Sequence, residues 1–93
     1  MKSYEALEKD RERVRQEIIE NLDFLMGSVS TKGPQRPGLN LTFKINQVTR
    51  TKHIRKENET RVKHMTAKWR RLRVLLKRLS DINWERLNRN MIW

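Results

Sequence analysis

The chain has 93 residues and no cysteine, and its 22 Lys and Arg against 11 Asp and Glu give a formal net charge of +11 at pH 7. This length limits the chain to one small domain with a thin core, and the lack of cysteine excludes disulfides and thiolate metal sites. A pI near 10.9 predicts a partner that carries phosphates or another anionic surface. The charge is also uneven: residues 1–27 hold five basic and seven acidic side chains, so residues 28–93 carry a net charge of +13. Such asymmetry favours one binding side.

The first predicted element is an amphipathic helix over residues 3–26. Its apolar residues recur at helical spacing, which places them on one face. They are Tyr4, Leu7, Val14, Ile18, Leu22 and Leu25. Ser3 fits the N-cap position, and Gly27 can adopt the left-handed conformation that ends a helix.

The middle of the chain predicts a loop followed by a β-hairpin. Residues 27–38 contain a Gly-Pro and a Pro-Gly step, which mark a loop. Residues 39–46 then alternate apolar and polar side chains, and residues 48–55 are rich in β-branched side chains. A turn at Asn46-Gln47 would join them as a hairpin over residues 39–55. A lone hairpin is unstable in water, so a helix must cover its apolar face.

A second helix is predicted over residues 58–88, followed by an apolar tail at 89–93. Its core positions recur at alternating steps of three and four residues, the pattern of a coiled-coil heptad seam. They are Val62, Met65, Trp69, Leu72, Leu76 and Leu79, continued by the polar Asn83. Trp69 is expected to pack on the first helix near Val14 or Ile18.

These elements predict an α+β fold that is mostly α, in a single domain over residues 1–93. Two long antiparallel helices would flank a two-stranded β-hairpin, in the order α-β-β-α. No internal repeat interrupts this arrangement.

Several strings carry a family resemblance: Met26–Ser30, the Pro37-Gly38 step, Thr49–Glu57 and the stretch 69–83. With the order of elements, they resemble an uncharacterised family of short bacterial and archaeal proteins. The resemblance implies an association with mobile genetic elements and supplies no catalytic signature. Many members carry a cysteine-rich segment, similar to a metal knuckle, between the Gly-Ser turn and the hairpin. Residues 31–36 of this chain occupy that interval without a cysteine.

The strongest functional signal is a run of cations on the second helix, with no acid between Thr60 and Ser80. Side chains three, four and seven residues apart project from one helix face, so they would contact a phosphate backbone together. Arginine also binds phosphate oxygens bidentately and stacks on bases. The predicted contacts on this helix are Lys63, Arg70, Arg71, Arg73, Lys77 and Arg78. The alternative is a solvated helix face.

The predicted second strand and the residues after it add four further cations, Arg50, Lys52, Arg55 and Lys56. Alternation places Arg50 and Lys52 on one face of the strand and Arg55 on the other, so one ligand would not contact all of them. The alternative is an edge strand whose charges prevent aggregation.

The apolar residues near the C-terminus predict a contact with a partner protein or with a second copy. They are Trp84, Met91, Ile92 and Trp93. Tryptophan is favoured at interface hot spots. The alternative is that Trp93 folds back on its own domain.

Catalysis is not expected. The sequence has no cysteine nucleophile, Gly-rich phosphate cradle or glycine-flanked serine, and no cluster of acids for magnesium. His53 and His64 have no acids at useful spacing, so neither a metal nor another cofactor is expected. The charged residues 1–10 do not form a secretory signal, and no apolar run approaches a membrane span. A cytoplasmic protein is therefore expected.

The sequence thus predicts a noncatalytic accessory protein that grips the phosphate backbone of DNA or RNA. It would serve as a small subunit of a mobile-element or defence nucleoprotein complex. The alternative is an adaptor whose basic face docks an acidic protein and whose C-terminal Trp tail is the anchor. A basic helix lying on an anionic membrane ranks last, because the apolar seam is narrow.

Overall fold

The computed structural model describes residues 2–91 as two helices and a three-stranded antiparallel sheet. The elements in chain order are α1 (Tyr4–Glu20), β1 (Ser28–Thr31), β2 (Leu39–Ile45), β3 (Val48–Ile54), a 3-10 turn (Lys56–Asn58) and α2 (Glu59–Asn88). The order is α-β-β-β-α and the fold is mostly helical. The predicted two-stranded hairpin in the order α-β-β-α is therefore wrong.

The additional strand, β1, lies within residues 27–38, which the sequence assigns to a loop. It pairs with β2 along its whole length, and the Ser30 and Thr42 hydroxyls are hydrogen-bonded at 2.8 Å. β1 has four residues and one large apolar side chain, Val29, so it offers no hydrophobic period to recognise. Gly27 precedes it with a φ of +126°, where it allows close approach to β2 instead of capping a helix.

α1 begins where predicted but ends earlier. Ser3 caps it, because its hydroxyl accepts a hydrogen bond from a first-turn N–H at 3.1 Å. The helix ends at Glu20, where the Asn21 side chain donates to a carbonyl of the last turn at 2.8 Å. The chain beyond it is not helical, and the Leu25 N–H donates to the Met65 carbonyl at 3.1 Å. Because the Leu25 N–H makes this bond and not a helical one, α1 does not extend to residue 26 as predicted.

β2 and β3 form a hairpin around a two-residue turn. Asn46 and Gln47 have φ values of +49° and +66°. Positive φ at both central positions is the type I′ geometry, whose twist matches that of the flanking strands. The short turn sets the register, in which Phe43 lies opposite Arg50 and Leu41 lies opposite Lys52.

Within residues 2–91 the chain forms two compact units, and α2 contributes to both. The helical unit contains residues 2–22 and 71–91. The sheet unit contains residues 23–70, which include the three strands and the first part of α2.

The core of the helical unit is a seam between α1 and the second part of α2. Leu7 and Val14 of α1 meet Leu75 and Ile82 of α2, and each of these side chains is at most 8% exposed. Leu79 packs against them. Two ion pairs, Glu8 with Arg86 and Glu17 with Arg71, join the helices across this seam in an antiparallel arrangement.

The predicted seam is confirmed at Leu72, which is buried, and at Leu79, which packs on this core, but it is wrong at the positions between and after them. Leu75 and Ile82 are buried, whereas the predicted Leu76 is 46% exposed. The steps from Trp69 to Leu72 and from Leu72 to Leu75 are both three residues, and this irregularity shifts a heptad pattern. The observed register is favoured because it buries Ile82 in place of the polar Asn83.

The first part of α2 lies in the sheet unit and has different neighbours. Thr66 is fully buried, and its hydroxyl donates to the Val62 carbonyl at 3.0 Å. Trp69 is half-buried and stacks on Phe24, with ring centroids 5.2 Å apart and planes 19° from parallel. Phe24 follows the end of α1, so this aromatic pair differs from the predicted packing near Val14 or Ile18.

Candidate nucleic-acid interface

The excess positive charge is concentrated in the sheet unit. Its residues hold 11 basic and three acidic side chains, a net charge of +8, whereas the helical unit holds 11 basic and eight acidic ones. All the predicted cations from Arg50 to Arg70 belong to the sheet unit. A dense cluster of one charge raises the local concentration of anions.

β3 presents cations beside the apolar side chains of β2. Arg50 and Lys52 share a sheet face with their cross-strand partners Phe43 and Leu41. The Lys52 ammonium lies over the Phe43 ring, 5.3 Å from its centroid. This face therefore combines positive charge with an aromatic surface.

Arg55 follows the end of β3 at Ile54 and caps the 3-10 turn, with φ −63° and ψ 142°. Arg55 and Lys52 both line one depression, and so do His53 and Ile54 between them. The placement of Lys52 and Arg55 on opposite faces of the strand therefore stays a prediction.

A two-part depression, which we call the sheet groove, runs along this face. The first part has a volume of about 300 Å³ and lies between the segment 24–26 and strands β2 and β3. The second has a volume of about 270 Å³ and includes Ile54, Arg55 and Val62. Leu25, Leu41 and Lys52 line both parts. Its lining is apolar with cations, and none of the described acids contributes to it.

The α2 cations divide between the two units. Lys63 and Arg70 are exposed in the sheet unit, and neither forms an ion pair with any residue between 2 and 91. The exposed Lys56 of the 3-10 turn is likewise outside the ion pairs described.

In the helical unit the predicted cations lie near acids. Arg71 donates to a Glu17 carboxylate oxygen from Nε at 2.9 Å and from Nη2 at 2.7 Å, and Lys77 pairs with Asp81 at 2.6 Å. The hydrogen bond from Lys2, aided by the charges of Lys2, Arg13 and Arg78, lowers the pKa of Asp10. Arg73 is exposed. Because acids already pair with Arg71 and Lys77, these predicted cations in the second part of α2 are less able to bind phosphate.

The three acids of the sheet unit have identifiable structural roles. Asp23 accepts a hydrogen bond from the Lys68 ammonium at 2.6 Å, and this bond lowers the pKa of its carboxyl below the ordinary value of 3.8. Glu57 and Glu59 lie in the first turns of the 3-10 turn and of α2. Carboxylates there offset the partial positive charge of a helix N-terminus.

The histidines have ordinary surroundings. His53 is exposed on β3, and its Nδ1 lies 2.5 Å from the Lys32 Nζ, while His64 is exposed on α2. Among the residues that the structure describes, no group of three or more His, Asp or Glu side chains could hold a metal ion. Of the two helices in residues 2–91, neither is long and apolar enough to cross a membrane.

The predicted partner contact at the C-terminus is divided by the structure. Trp84 is 66% exposed on α2, with Leu87 50% exposed one turn later. Met91 instead packs against the core of the helical unit, and its N–H donates to the Arg86 carbonyl at 3.0 Å. Ile92 and Trp93 lie outside the described residues.

The sequence interpretation missed the aromatic part of this surface. Phe24 and Phe43 both line the first part of the sheet groove. A signal for Phe43 was present, because a two-residue turn at Asn46-Gln47 already places it opposite Arg50. No such signal marks Phe24, because Phe24 falls within the predicted first helix and outside its apolar face.

Searches against protein-family models, curated proteins and solved structures find no match for this chain.

Proposed function

We propose that the protein is a noncatalytic accessory that binds the phosphate backbone of nucleic acid through the sheet unit. Phosphate contacts supply most of the affinity of such proteins and little sequence preference. An association with a mobile-element or defence nucleoprotein complex is part of this proposal and derives only from the resemblance described above.

The observation that carries the proposal is a set of exposed cations on β3 and directly after it, of which Lys52 and Arg55 line the sheet groove. Arg50, Lys52 and Arg55 are exposed, and none of them pairs with an acid in residues 2–91. On a solvated surface of ordinary composition both signs are interspersed. Holding these like charges together costs repulsion, which an anionic ligand would relieve.

The proposed contacts combine these cations with Lys56, Lys63 and Arg70, which also lie in the sheet unit. Arg71, Lys77 and Arg78 are weaker candidates because acids lie close to them.

A second function, contact with a partner protein, is favoured by exposed apolar side chains on the helical unit. Leu76, Trp84 and Leu87 of α2 are 46%, 66% and 50% exposed. Large exposed aromatic and aliphatic side chains are typical of interface cores.

The test compares two triple variants that remove the same charge. The first changes Arg50, Lys52 and Arg55 to Gln. The control changes Lys9, Arg13 and Arg15 to Gln, which are exposed on α1 beside Glu5, Asp10 and Glu12.

We expect the first variant to bind labelled DNA and RNA roughly tenfold or more weakly, whatever the base sequence. The control should bind nearly as well as the unaltered protein. Helical circular dichroism checks that both variants are folded. Equal weakening in the two variants would show that net charge alone matters and would reject a site on β3.

A further inference from the structure

The first part of the sheet groove has the size and lining of a small ligand site. Its volume of about 300 Å³ is at the lower end of the range for ligand pockets. Apolar side chains from the segment after α1 and from β2 form its walls, and two ammonium groups stand at its margin. The residues used below are Phe24, Met26, Phe43, Ile45, Lys44 and Lys52.

Two aromatic rings contribute to these walls. Phe43 is half-buried, and the Lys52 ammonium lies over its ring, 5.3 Å from the centroid, so a stacking base would take the place of this ammonium. Phe24 is stacked on Trp69 and is thereby fixed in position. Fixed aromatic rings lose little entropy when another planar group stacks on them.

The charge around the groove selects an anionic occupant. Lys44 and Lys52 line it, Arg50 lies opposite Phe43 in the strand register, and no acid of the described chain lines it. The groove combines aromatic side chains with cations. It therefore suits a ligand that has a planar, apolar part and a phosphate part. A nucleotide of a single strand has this form, whereas the bases of a duplex are already stacked on each other.

We infer that the sheet groove takes an unpaired segment of nucleic acid, with a base against Phe43 and the flanking phosphates on Arg50 and Lys52. This inference depends on the proposed function. It adds that the ligand is single-stranded and that part of its affinity comes from stacking. Proteins that bind single strands combine charged grooves with aromatic platforms in this way.

The test uses the full chain with three probes of equal charge: an oligothymidylate, an abasic strand of the same length, and a duplex with the same number of phosphates. A stacked base contributes roughly 5- to 100-fold in affinity. We therefore expect the oligothymidylate to bind at least about 5-fold more tightly than the abasic strand.

Two variants test whether Phe43 is responsible for the preference for oligothymidylate over the abasic strand. Phe43→Leu keeps an apolar side chain but removes the ring, so it should bring oligothymidylate binding down to that of the abasic strand. Phe43→Tyr keeps the ring and should retain the preference. Thermal melts of both variants check that the sheet is intact.

The results distinguish the stacking inference from the proposed binding of phosphate. If all three probes bind equally in the unaltered protein, the stacking inference is overturned while phosphate binding stands. A preference for oligothymidylate that survives in Phe43→Leu would also overturn it, because the base would be stacked elsewhere. If no probe binds, both the inference and the proposed function are rejected.

Discussion

Leu75 and Leu76 are neighbours on α2 but have opposite environments. Leu75 is 1% exposed in the core of the helical unit, and Leu76 is 46% exposed. The regular heptad predicted from the sequence would give the reverse arrangement. A residue-level comparison therefore tests which register the helix adopts.

We expect Leu75→Ala to lower the free energy of unfolding by about 2–5 kcal/mol, because it leaves a cavity in a packed core. Leu76→Ala should lower it by less than about 1 kcal/mol, since little surface is buried there. Urea unfolding of the two variants measures the difference. A larger loss of unfolding free energy in Leu76→Ala than in Leu75→Ala would instead support the regular heptad register.

Arg86 is the largest of the fully buried side chains, at 1% exposure, and its Nε donates to the Glu8 carboxylate at 2.6 Å. Removing Glu8 would take an ion-pair partner away from this buried guanidinium. The Glu8 side chain is 43% exposed, so water can replace part of the lost contact.

Glu8→Ala should therefore lower the free energy of unfolding by about 1–3 kcal/mol. Glu12→Ala is the matched control, because its Arg15 partner is 3.8 Å away and both side chains are largely exposed. Its effect should stay within about 0.5 kcal/mol. Thermal or urea unfolding compares the two variants. Equal losses would mean that the contact between Glu8 and Arg86 contributes little to stability.

At the scale of elements, the pairing of β1 with β2 depends on Gly27. A Cβ added there would lie 2.6 Å from the Thr42 carbonyl oxygen, whereas one added at Gly33 would meet nothing within 4 Å. Both glycines have φ values near +125°, so both substitutions strain the backbone. Only the change at Gly27 also pushes two strands apart.

We expect Gly33→Ala to cost about 1–3 kcal/mol from backbone strain. Gly27→Ala should cost more than that and should expose the backbone amides of β1 to hydrogen exchange. The comparison requires unfolding curves and exchange rates for both variants. Protection of β1 that is unchanged in Gly27→Ala would contradict the close approach of the strands.

Elements with a clear period were predictable, and those set by tertiary contacts were not. The strict alternation of β2 and the two-residue turn at Asn46-Gln47 gave the hairpin. β1 was missed because it is a four-residue strand with one large apolar side chain, Val29, and it depends on β2 for pairing. The end of α1 was missed because Leu22 and Leu25 continue its apolar spacing, although the Leu25 N–H bonds to Met65 instead.

The candidate site was likewise predicted only in part, because tertiary contacts set the positions of some of its residues. Arg50, Lys52 and Arg55 were identifiable from charge alone. The groove that Lys52 and Arg55 line also needs the segment 24–26 and Val62 of α2, which strand spacing does not predict. The pairing of Arg71 with Glu17 required the helix register, which heptad spacing misplaced by one residue.

At the scale of the whole molecule, charge and fold divide between the two units. The helical unit balances most of its cations with acids, while the sheet unit carries +8 of the formal net charge of +11. This charge distribution supports the proposal that the sheet unit binds nucleic acid.

The most direct test of this account is the salt dependence of binding to a labelled single strand. Each phosphate contact should contribute about −0.7 to the slope of log affinity against log salt concentration. We expect a steep negative slope for the unaltered protein and a slope shallower by about 2 when Arg50, Lys52 and Arg55 are all changed to Gln. The Lys9, Arg13 and Arg15 control should keep the original slope. A flat slope in the unaltered protein, or the same change in both variants, would contradict phosphate binding by the sheet unit.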